Sequence, residues 1–458
     1  MVQSVNAEPR SNGDIKPSSF DPFFEFYPGS VWAEFKKQSF AFWMLSFYIL
    51  FEYLRPQSLF PVIDFIPWMQ VFLMLAAVGY FLQPSRQPVA STGALIWLLV
   101  FFAIILISSQ QAFVPQYAWD RLDAYYLWVL IFFLISRIAT TEKQLMILLI
   151  IIALASAKMS IYGAKSWMMR GFSFTSWGLK GPPGFFENSG EFAIQMLVFF
   201  CFSLYLYFAF KDRVTGWRKW ALLAAPITAG MSVMGASSRG SQLALFVLLY
   251  LIFLHGKVSI RDLALAGVLG FVTYNILPAE QLERFQSMGE DKSSMQRMMY
   301  WEHGWEMMQE HPTFGVGYFN FIPYYDVHYS YDLLFPEPEL AHNIFIQVGA
   351  DLGFIGLGVY LILIWLGFSI PRKARKRLIA LGLDDDWRVY ISKGLALGFL
   401  AFVIAGQFVS IVYYPWMYIH LALSCVLLSS VETTRRELDA GQWQIADQRL
   451  VRTGSGKP

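Results

Sequence analysis

The chain has 458 residues, of which 56% are hydrophobic and 18% aromatic but only 15% charged, and its mean hydropathy is +0.44. Because soluble domains carry about 25% charged residues, this composition excludes an ordinary soluble domain. The net charge of +2 by itself identifies no partner, and we expect no nucleic acid to be bound.

Apolar runs of about 17 residues or more recur along most of the chain. In lipid, a helix satisfies its own backbone polar groups over such a length. The sequence therefore predicts an all-α polytopic membrane protein with about 12 transmembrane helices. The predicted spans are 40–54, 66–82, 92–109, 122–136, 143–163, 189–210, 220–237, 240–255, 262–277, 343–370, 393–411 and 414–430.

The placement of Lys and Arg predicts the topology. If the N-terminus is cytoplasmic, the main basic clusters all face the cytoplasm, as the positive-inside rule requires. These clusters lie at 36–37, 211–219, 372–377 and 435–436. We therefore expect a protein of the bacterial inner membrane with both termini on the cytoplasmic side, where residues 1–38 and 431–458 form the two tails. Residues 1–38 show no apolar core before a small-residue cleavage site, so no removable signal peptide is expected, and this tail is predicted to be flexible or to lie on the surface.

Between transmembrane helices 1–9 (39–277) and helices 10–12 (342–430), residues 278–341 are too polar to span a membrane. We predict a large helical periplasmic loop there. Within this loop, Ser294 to Glu310 places Met and Trp residues at three- and four-residue steps, which indicates an amphipathic helix that lies along the membrane face.

Two groups of acidic or histidine residues could be interpreted as metal sites. His303, Glu306, Glu310 and His311 lie on or just after the amphipathic helix, and Asp384 to Asp386 lie in a basic cytoplasmic loop. Charged residues on the wet face of a helix, or in a polar loop, are more often only solvated. We therefore predict no metal site.

Two segments place polar groups close to the outer membrane interface. Gly181 to Glu191 opens the sixth helix, with Asn188 or Ser189 as N-cap and with Glu187 and Glu191 beside it, so a well-capped helix start is an alternative to a binding role. The turn Ser237-Ser238-Arg239-Gly240 is too short for a solvated loop. Its arginine could simply snorkel to the interface, but a fixed guanidinium also suits a bidentate phosphate contact.

The third segment begins the tenth helix at His342 and Asn343. Asn343, Gln347 and Asp351 follow at four-residue spacing, so this polar stripe should face the bundle interior. Beyond it, Gly349, Gly353, Gly356 and Gly358 should allow close helix contact. The positive end of the helix dipole should keep the His342 ring neutral and able to accept a proton, although helix capping by the His-Asn pair is an alternative.

These motifs, in their order along the chain, resemble the O-antigen ligase and O-antigen polymerase family over roughly residues 180–370. The motifs are Ser237-Ser-Arg-Gly240, Ser294-Met-Gln-Arg297 with Trp301, His311-Pro-Thr-Phe-Gly-Val-Gly317, His342-Asn343 and Gly353-Phe-Ile-Gly356. The resemblance implies a GT-C-like membrane glycosyltransferase that moves a glycan from undecaprenyl diphosphate to an acceptor hydroxyl at the periplasmic face. It implies neither nucleotide sugar nor metal, and we expect no cofactor.

By the same resemblance, Arg239 and Arg297 bind the diphosphate, and His342 removes the proton of the acceptor hydroxyl in an inverting, metal-independent reaction. The residues expected to support this site are Asn343, Gln347, Asp351, Glu187, Asn188, Glu191 and Arg284. The sequence departs from the family at Glu187–Glu191, where an Asn-Pro-Asn-like start is usual, and at Asp351, where Glu is common.

The expected partners are membrane lipids, an undecaprenyl-diphosphate-linked glycan donor, and an acceptor. A ligase would use a lipid A-core sugar, a polymerase would use another lipid-linked glycan together with a chain-length regulator, and a protein acceptor is a third alternative. A lipid-linked glycan transporter or flippase is the alternative from another class. Such a protein should place ionisable groups near the bilayer midplane, where only Lys158 and Asp351 are candidates.

Overall fold

The computed structural model describes residues 22–83, 89–90, 92–174, 178–183, 185–253 and 291–454. Within these ranges the secondary structure is helical and contains no strand. The longer helices are α1 (Pro28–Lys36), α2 (Phe40–Leu54), α3 (Trp68–Leu82), α4 (Gly93–Gln110), α5 (Leu122–Ile138), α6 (Glu142–Met169), α7 (Ser189–Phe210), α8 (Trp217–Gly235), α9 (Arg239–Phe253), α10 (Lys292–Glu310), α11 (Phe321–His328), α12 (Ile344–Ala380), α13 (Trp387–Ala405) and α14 (Pro415–Gly454). Short turns of helix lie at Pro22–Glu25, Pro56–Leu59, Pro61–Ile63, Pro115–Trp119 and Ser330–Asp332.

The described helices confirm a polytopic helical membrane protein. Six of them are long and apolar enough to cross a membrane, namely α4, α6, α7, α12, α13 and the Pro415–Gly441 part of α14. Helices α2 and α3, together with segments Tyr125–Ile138 and Arg239–Ile252, are shorter apolar helices. The predicted span 262–277 lies outside the described residues, so a total of twelve spans stays a prediction.

Several helices begin at the caps that the sequence offers. The Asn188 side chain accepts a hydrogen bond from the Gly190 N–H at the start of α7. Thr141 and Gln144 form a reciprocal capping box at the start of α6. Such caps satisfy backbone donors that have no partner inside the helix, which is why these ends match the predicted spans closely.

The described part of the N-terminal tail lies against the bundle. Phe24 packs on Trp387 at a ring-centroid distance of 6.0 Å, and Phe26 packs on Phe210 at 4.7 Å. Helix α1 follows this anchor and keeps Trp32 58% exposed. Residues 22–36 are therefore a surface-lying element fixed to the ends of α7 and α13.

The prediction that Asp384 to Asp386 form a solvated run is wrong for Asp386. Its side chain caps α13 by accepting from the Arg388 N–H, and it also binds the Arg388 guanidinium at 2.7 Å. Arg388 is only 1% exposed and also donates to the Thr434 hydroxyl. A buried guanidinium needs such a counter-charge, so Asp386 is part of the internal packing.

The polar loop has a hydrophobic core of its own. Tyr300 and Met307 of α10 pack with Phe321 and Tyr325 of α11 and with Ala350 of α12. This core explains why Tyr300 and Met307 are buried. The loop is thereby fixed to the first turns of α12.

Helix α12 is interrupted at Gly353, which has φ +67° and ψ −172°. The segment after α10 docks onto this break, because Val316 N–H donates to Ala350 O at 2.8 Å and Phe354 N–H donates to Pro312 O at 2.8 Å. A Cβ at Gly353 would lie 2.6 Å from the backbone of Thr313. The predicted close contact is therefore real, but its partner is loop backbone and not a neighbouring transmembrane helix.

Candidate active site

A cavity of about 750 Å³ lies where α7, α9, α10 and α12 begin. Its wall contains the three residues that the sequence analysis singled out for chemistry, Arg239, Arg297 and His342. Further lining residues are Asn188, Ser238, Asp291, Trp301 and Phe408. Residues that are distant in sequence thus meet around one space large enough for a small molecule or a lipid headgroup.

Arg239 is the first residue of α9 and is held by a tight turn. The preceding Ser237 has φ +56°, a strained value for a residue other than glycine. Gly240 lies directly against the Phe408 ring, so no side chain fits there. Arg239 Nη2 lies 3.0 Å from Asp291 Oδ2, and the guanidinium therefore points across the cavity toward α10.

Asp291 joins the two helices that carry the arginines. It caps α10 by accepting from the Ser294 N–H at 3.1 Å and from the Ser294 hydroxyl at 2.7 Å. Burial opposes ionisation of Asp291, but the hydrogen bonds from Ser294 and Arg239 outweigh it and hold the pKa of this carboxyl below its usual range. Asp291 is thus an anion that forms an ion pair with Arg239. The sequence alone could have indicated Asp291 as a helix cap, because it lies three residues before Ser294. The contact of Asp291 with Arg239 could not be inferred from the sequence.

Arg297 lies less than two turns into α10 and has no carboxylate within ion-pair distance among the described residues. Its Nε is buried and has no hydrogen-bond partner among the residues that the structure describes. Burial, reinforced by the charge of Arg239, lowers the pKa of the Arg297 guanidinium. A partly buried guanidinium whose Nε has no partner among the described residues is stabilised when an anion binds it, so this wall of the cavity is suited to a negatively charged ligand.

His342 is held by its backbone and by one ring nitrogen. Its backbone, at φ +50°, donates to the Ser410 hydroxyl at 3.0 Å, and its Nε2 lies 2.8 Å from Glu339 Oε2. The next residue, Asn343, caps α12 by accepting from the N–H groups of Phe345 and Ile346. Capping is therefore done by Asn343 alone, which leaves the His342 ring available to the cavity.

Helix α10 also holds the segment that carries His342. The Tyr300 hydroxyl accepts from the Glu339 N–H at 2.8 Å, and Trp301 Nε1 donates to Ala341 O at 2.9 Å. Farther along the segment, Gln296 Oε1 accepts from the Leu334 N–H at 2.6 Å. The sequence motif from Ser294 to Trp301 therefore has two tasks, since it presents Arg297 and it positions the chain leading to His342.

The polar stripe of α12 faces the interior, as predicted, and Asp351 has its partners away from the cavity. Asp351 is fully buried, where Oδ1 accepts from the Phe321 N–H and Oδ2 accepts from the Tyr413 hydroxyl, both at 3.1 Å. Gln347 is 1% exposed. The carboxylate of Asp351 thus anchors the loop to the bundle and does not line the cavity.

The remaining supporting candidates lie at the rim or beyond it. Asn188 lines the cavity while its side chain caps α7. Glu191 accepts a hydrogen bond of 2.6 Å from the Tyr414 hydroxyl, and Glu187 is exposed. Arg284 lies outside the described residues.

The histidine cluster of α10 has protein partners. His303 Nδ1 lies 2.8 Å from Glu306 and Nε2 lies 2.9 Å from Asp332, while the ring stacks on Tyr329 at 4.1 Å. Within the described ranges, no group of three or more His, Cys, Asp or Glu side chains is arranged to hold a metal ion. Both nitrogens of His303 therefore serve the packing of the loop.

Comparison with known proteins agrees with the motifs. Residues 223–361 match a family model described as O-antigen ligase, and the resemblance drawn from the motifs is confirmed. The matched range contains Arg239, Arg297 and His342, together with the break of α12. No curated protein matches the chain.

Proposed function

We propose that this chain, a member of the O-antigen ligase family, transfers a glycan from undecaprenyl diphosphate to an acceptor hydroxyl at the periplasmic face of a bacterial inner membrane. One observation carries the proposal. Arg239, Arg297 and His342 line the same cavity at the ends of apolar helices. Two guanidiniums and an imidazole thus lie within one site, which is what binding of a diphosphate and deprotonation of a hydroxyl would require.

The two guanidiniums would bind the diphosphate of the donor. Arginine suits this ligand because its planar fork makes paired hydrogen bonds to phosphate oxygens. As the bond between the sugar C1 and the diphosphate oxygen breaks, negative charge grows on the leaving group. Arg297, which has no carboxylate partner within the described ranges, is available to stabilise that charge in the transition state.

His342 would take the proton of the acceptor hydroxyl as its oxygen bonds to C1. Attack from the face opposite the diphosphate inverts the anomeric centre, and this scheme needs no metal. The family comprises ligases and polymerases by the resemblance stated above, and these differ in the acceptor and not in these steps. Our first candidate reaction is ligation to a lipid A-core acceptor, and the second is polymerisation on another lipid-linked glycan.

Glycan transfer by the purified protein in nanodiscs tests the proposal, with a lipid-diphosphate donor, a lipid A-core acceptor and a lipid-linked glycan as second acceptor. We expect His342→Ala to lower the rate by about 10²–10⁴-fold and Arg297→Ala by about 10²–10³-fold. The matched controls, His328→Ala and Arg170→Ala, replace exposed residues that do not line the cavity, and they should transfer at the parent rate.

Two results would contradict the proposal. Wild-type rates for both His342→Ala and Arg297→Ala would remove the catalytic assignment. Movement of a labelled lipid-linked glycan across vesicles, without any change in the glycan, would favour a flippase instead.

A further inference from the structure

We propose that Glu339 is a positioning residue that fixes the tautomer of His342, so that Nδ1 is the nitrogen that receives the proton of the acceptor hydroxyl. This inference rests on the proposed function of His342 as the base. It adds a second residue to the proton-transfer step and assigns that step to one atom of the imidazole ring.

The contact itself determines which nitrogen carries the proton. His342 Nε2 and Glu339 Oε2 are 2.8 Å apart. The hydrogen bond from His342, helped by the charge of Arg297 and opposed by burial, holds the pKa of the Glu339 carboxyl below its usual range. An ionised carboxylate only accepts hydrogen bonds. Nε2 must therefore donate, and the lone pair of the neutral ring is on Nδ1.

The surrounding chain holds this pair in place. Glu339 follows Pro338, and the ring of this proline fixes the φ of Pro338 itself. The Glu339 N–H donates to the Tyr300 hydroxyl. His342 has φ +50° and its N–H is bound by Ser410. The hydrogen-bonded backbone at both residues, together with the strained φ of His342, indicates that the Glu339–His342 pair is held by the surrounding chain and is not a chance meeting of two mobile side chains.

The charges around the Glu339–His342 pair favour a protonated imidazole ring during the reaction. The charged groups that face it are Arg297 on α10 and, across the cavity, the Arg239–Asp291 pair. When Nδ1 takes the proton, the ring becomes a cation, and Glu339 compensates this charge while Arg297 engages the diphosphate. No covalent bond forms or breaks at Glu339. It binds Nε2–H before and after the transfer.

Kinetics of Glu339→Gln and Glu339→Ala test the inference, with Glu337→Gln and Glu337→Ala as matched controls. Glu337 occupies the same position in the preceding Pro-Glu step and is exposed. Because the Glu339 side chain is itself 66% exposed, we expect kcat to fall only about tenfold for Glu339→Gln and further for Glu339→Ala. The KM for the lipid donor should stay within about twofold, since Glu339 does not line the cavity.

Two readouts separate positioning from folding. Without the carboxylate, the protonated ring is less favoured, so the acid limb of the rate profile should shift to lower pH in both Glu339 variants. Added formate should partly restore Glu339→Ala, because the exposed position leaves room for a small carboxylate, and it should not change Glu337→Ala. The Glu337 variants should keep the parent rate and pH profile.

The outcomes distinguish this inference from the proposed function. If His342→Ala is inactive while both Glu339 variants match the parent in rate and pH profile, the assignment of Glu339 is wrong and the base assignment stands. A fall in rate with an unchanged pH profile and no response to formate would mean a merely structural role and would equally overturn the inference. Full activity of His342→Ala would instead remove the proposed base itself.

Discussion

Asp291→Asn should strengthen binding of a diphosphate in the cavity. The Asp291 carboxylate lies 3.0 Å from Arg239, and the two side chains are 28% and 22% exposed. Asn caps helices as well as Asp does, so the change removes one negative charge and keeps α10 in place. Two charges about 4 Å apart interact by about 1–4 kcal/mol between bulk water and a protein surface, and exposed pairs yield about 0–1 kcal/mol. For this largely buried pair we expect a gain of about 1–2 kcal/mol, or a dissociation constant about 5- to 30-fold lower.

Isothermal titration of the detergent-purified protein with farnesyl diphosphate measures this change without requiring transfer. Asp326→Asn is the control, because Asp326 is an exposed aspartate on α11, and it should leave the affinity unchanged. The gain should shrink at high salt, since surface charges are screened. Weaker binding by Asp291→Asn would refute the reasoning, because it would mean that Asp291 orients Arg239 for the ligand and does not compete with the ligand.

Two further substitutions test the arginine and the helix break. Arg297→Lys keeps the charge but loses the planar fork, so kcat/KM for the lipid donor should fall roughly tenfold; an unchanged kcat/KM would show that Arg297 acts only as a point charge. Gly353→Ala should destabilise the protein by about 2–4 kcal/mol, because its φ of +67° and the nearby Thr313 backbone exclude a side chain. Thermal unfolding measures this loss against Gly358→Ala, which meets nothing within 4 Å and should be neutral or slightly stabilising. Equal melting temperatures for the two variants would contradict the strain at the break.

The helical framework was predictable because it depends on local features of the chain. Apolar length and caps such as Asn188 and Asn343 fix where a helix starts, and both caps bind backbone as expected. The meeting of Arg239 and His342 at one cavity was predictable for a related reason. A turn too short to be solvated and a helix start both confine a side chain to the membrane boundary, and Arg239 and His342 accordingly meet at the cavity.

The contacts between segments were not predictable from spacing. Asp291 and Glu339 lie in a polar loop where carboxylates are normally solvated, and their contacts with Arg239 and His342 depend on how the loop folds onto the bundle. Gly353 likewise has the appearance of a packing glycine in an apolar helix. Only the docking of the segment after α10 shows that it ends one helical piece and begins another.

Helix α10 connects the proposed diphosphate site to the proposed base. Arg297, Tyr300 and Trp301 lie at positions i, i+3 and i+4, so they share one face of the helix. The first lines the cavity, while the other two bind the backbone of Glu339 and Ala341. Any shift of α10 that accompanies binding of a diphosphate at Arg297 must therefore also move the segment that carries the Glu339–His342 pair. A fixed helix with both contacts would hold the proposed base in one place relative to the proposed leaving group, and such positioning is a large part of catalysis in many enzymes.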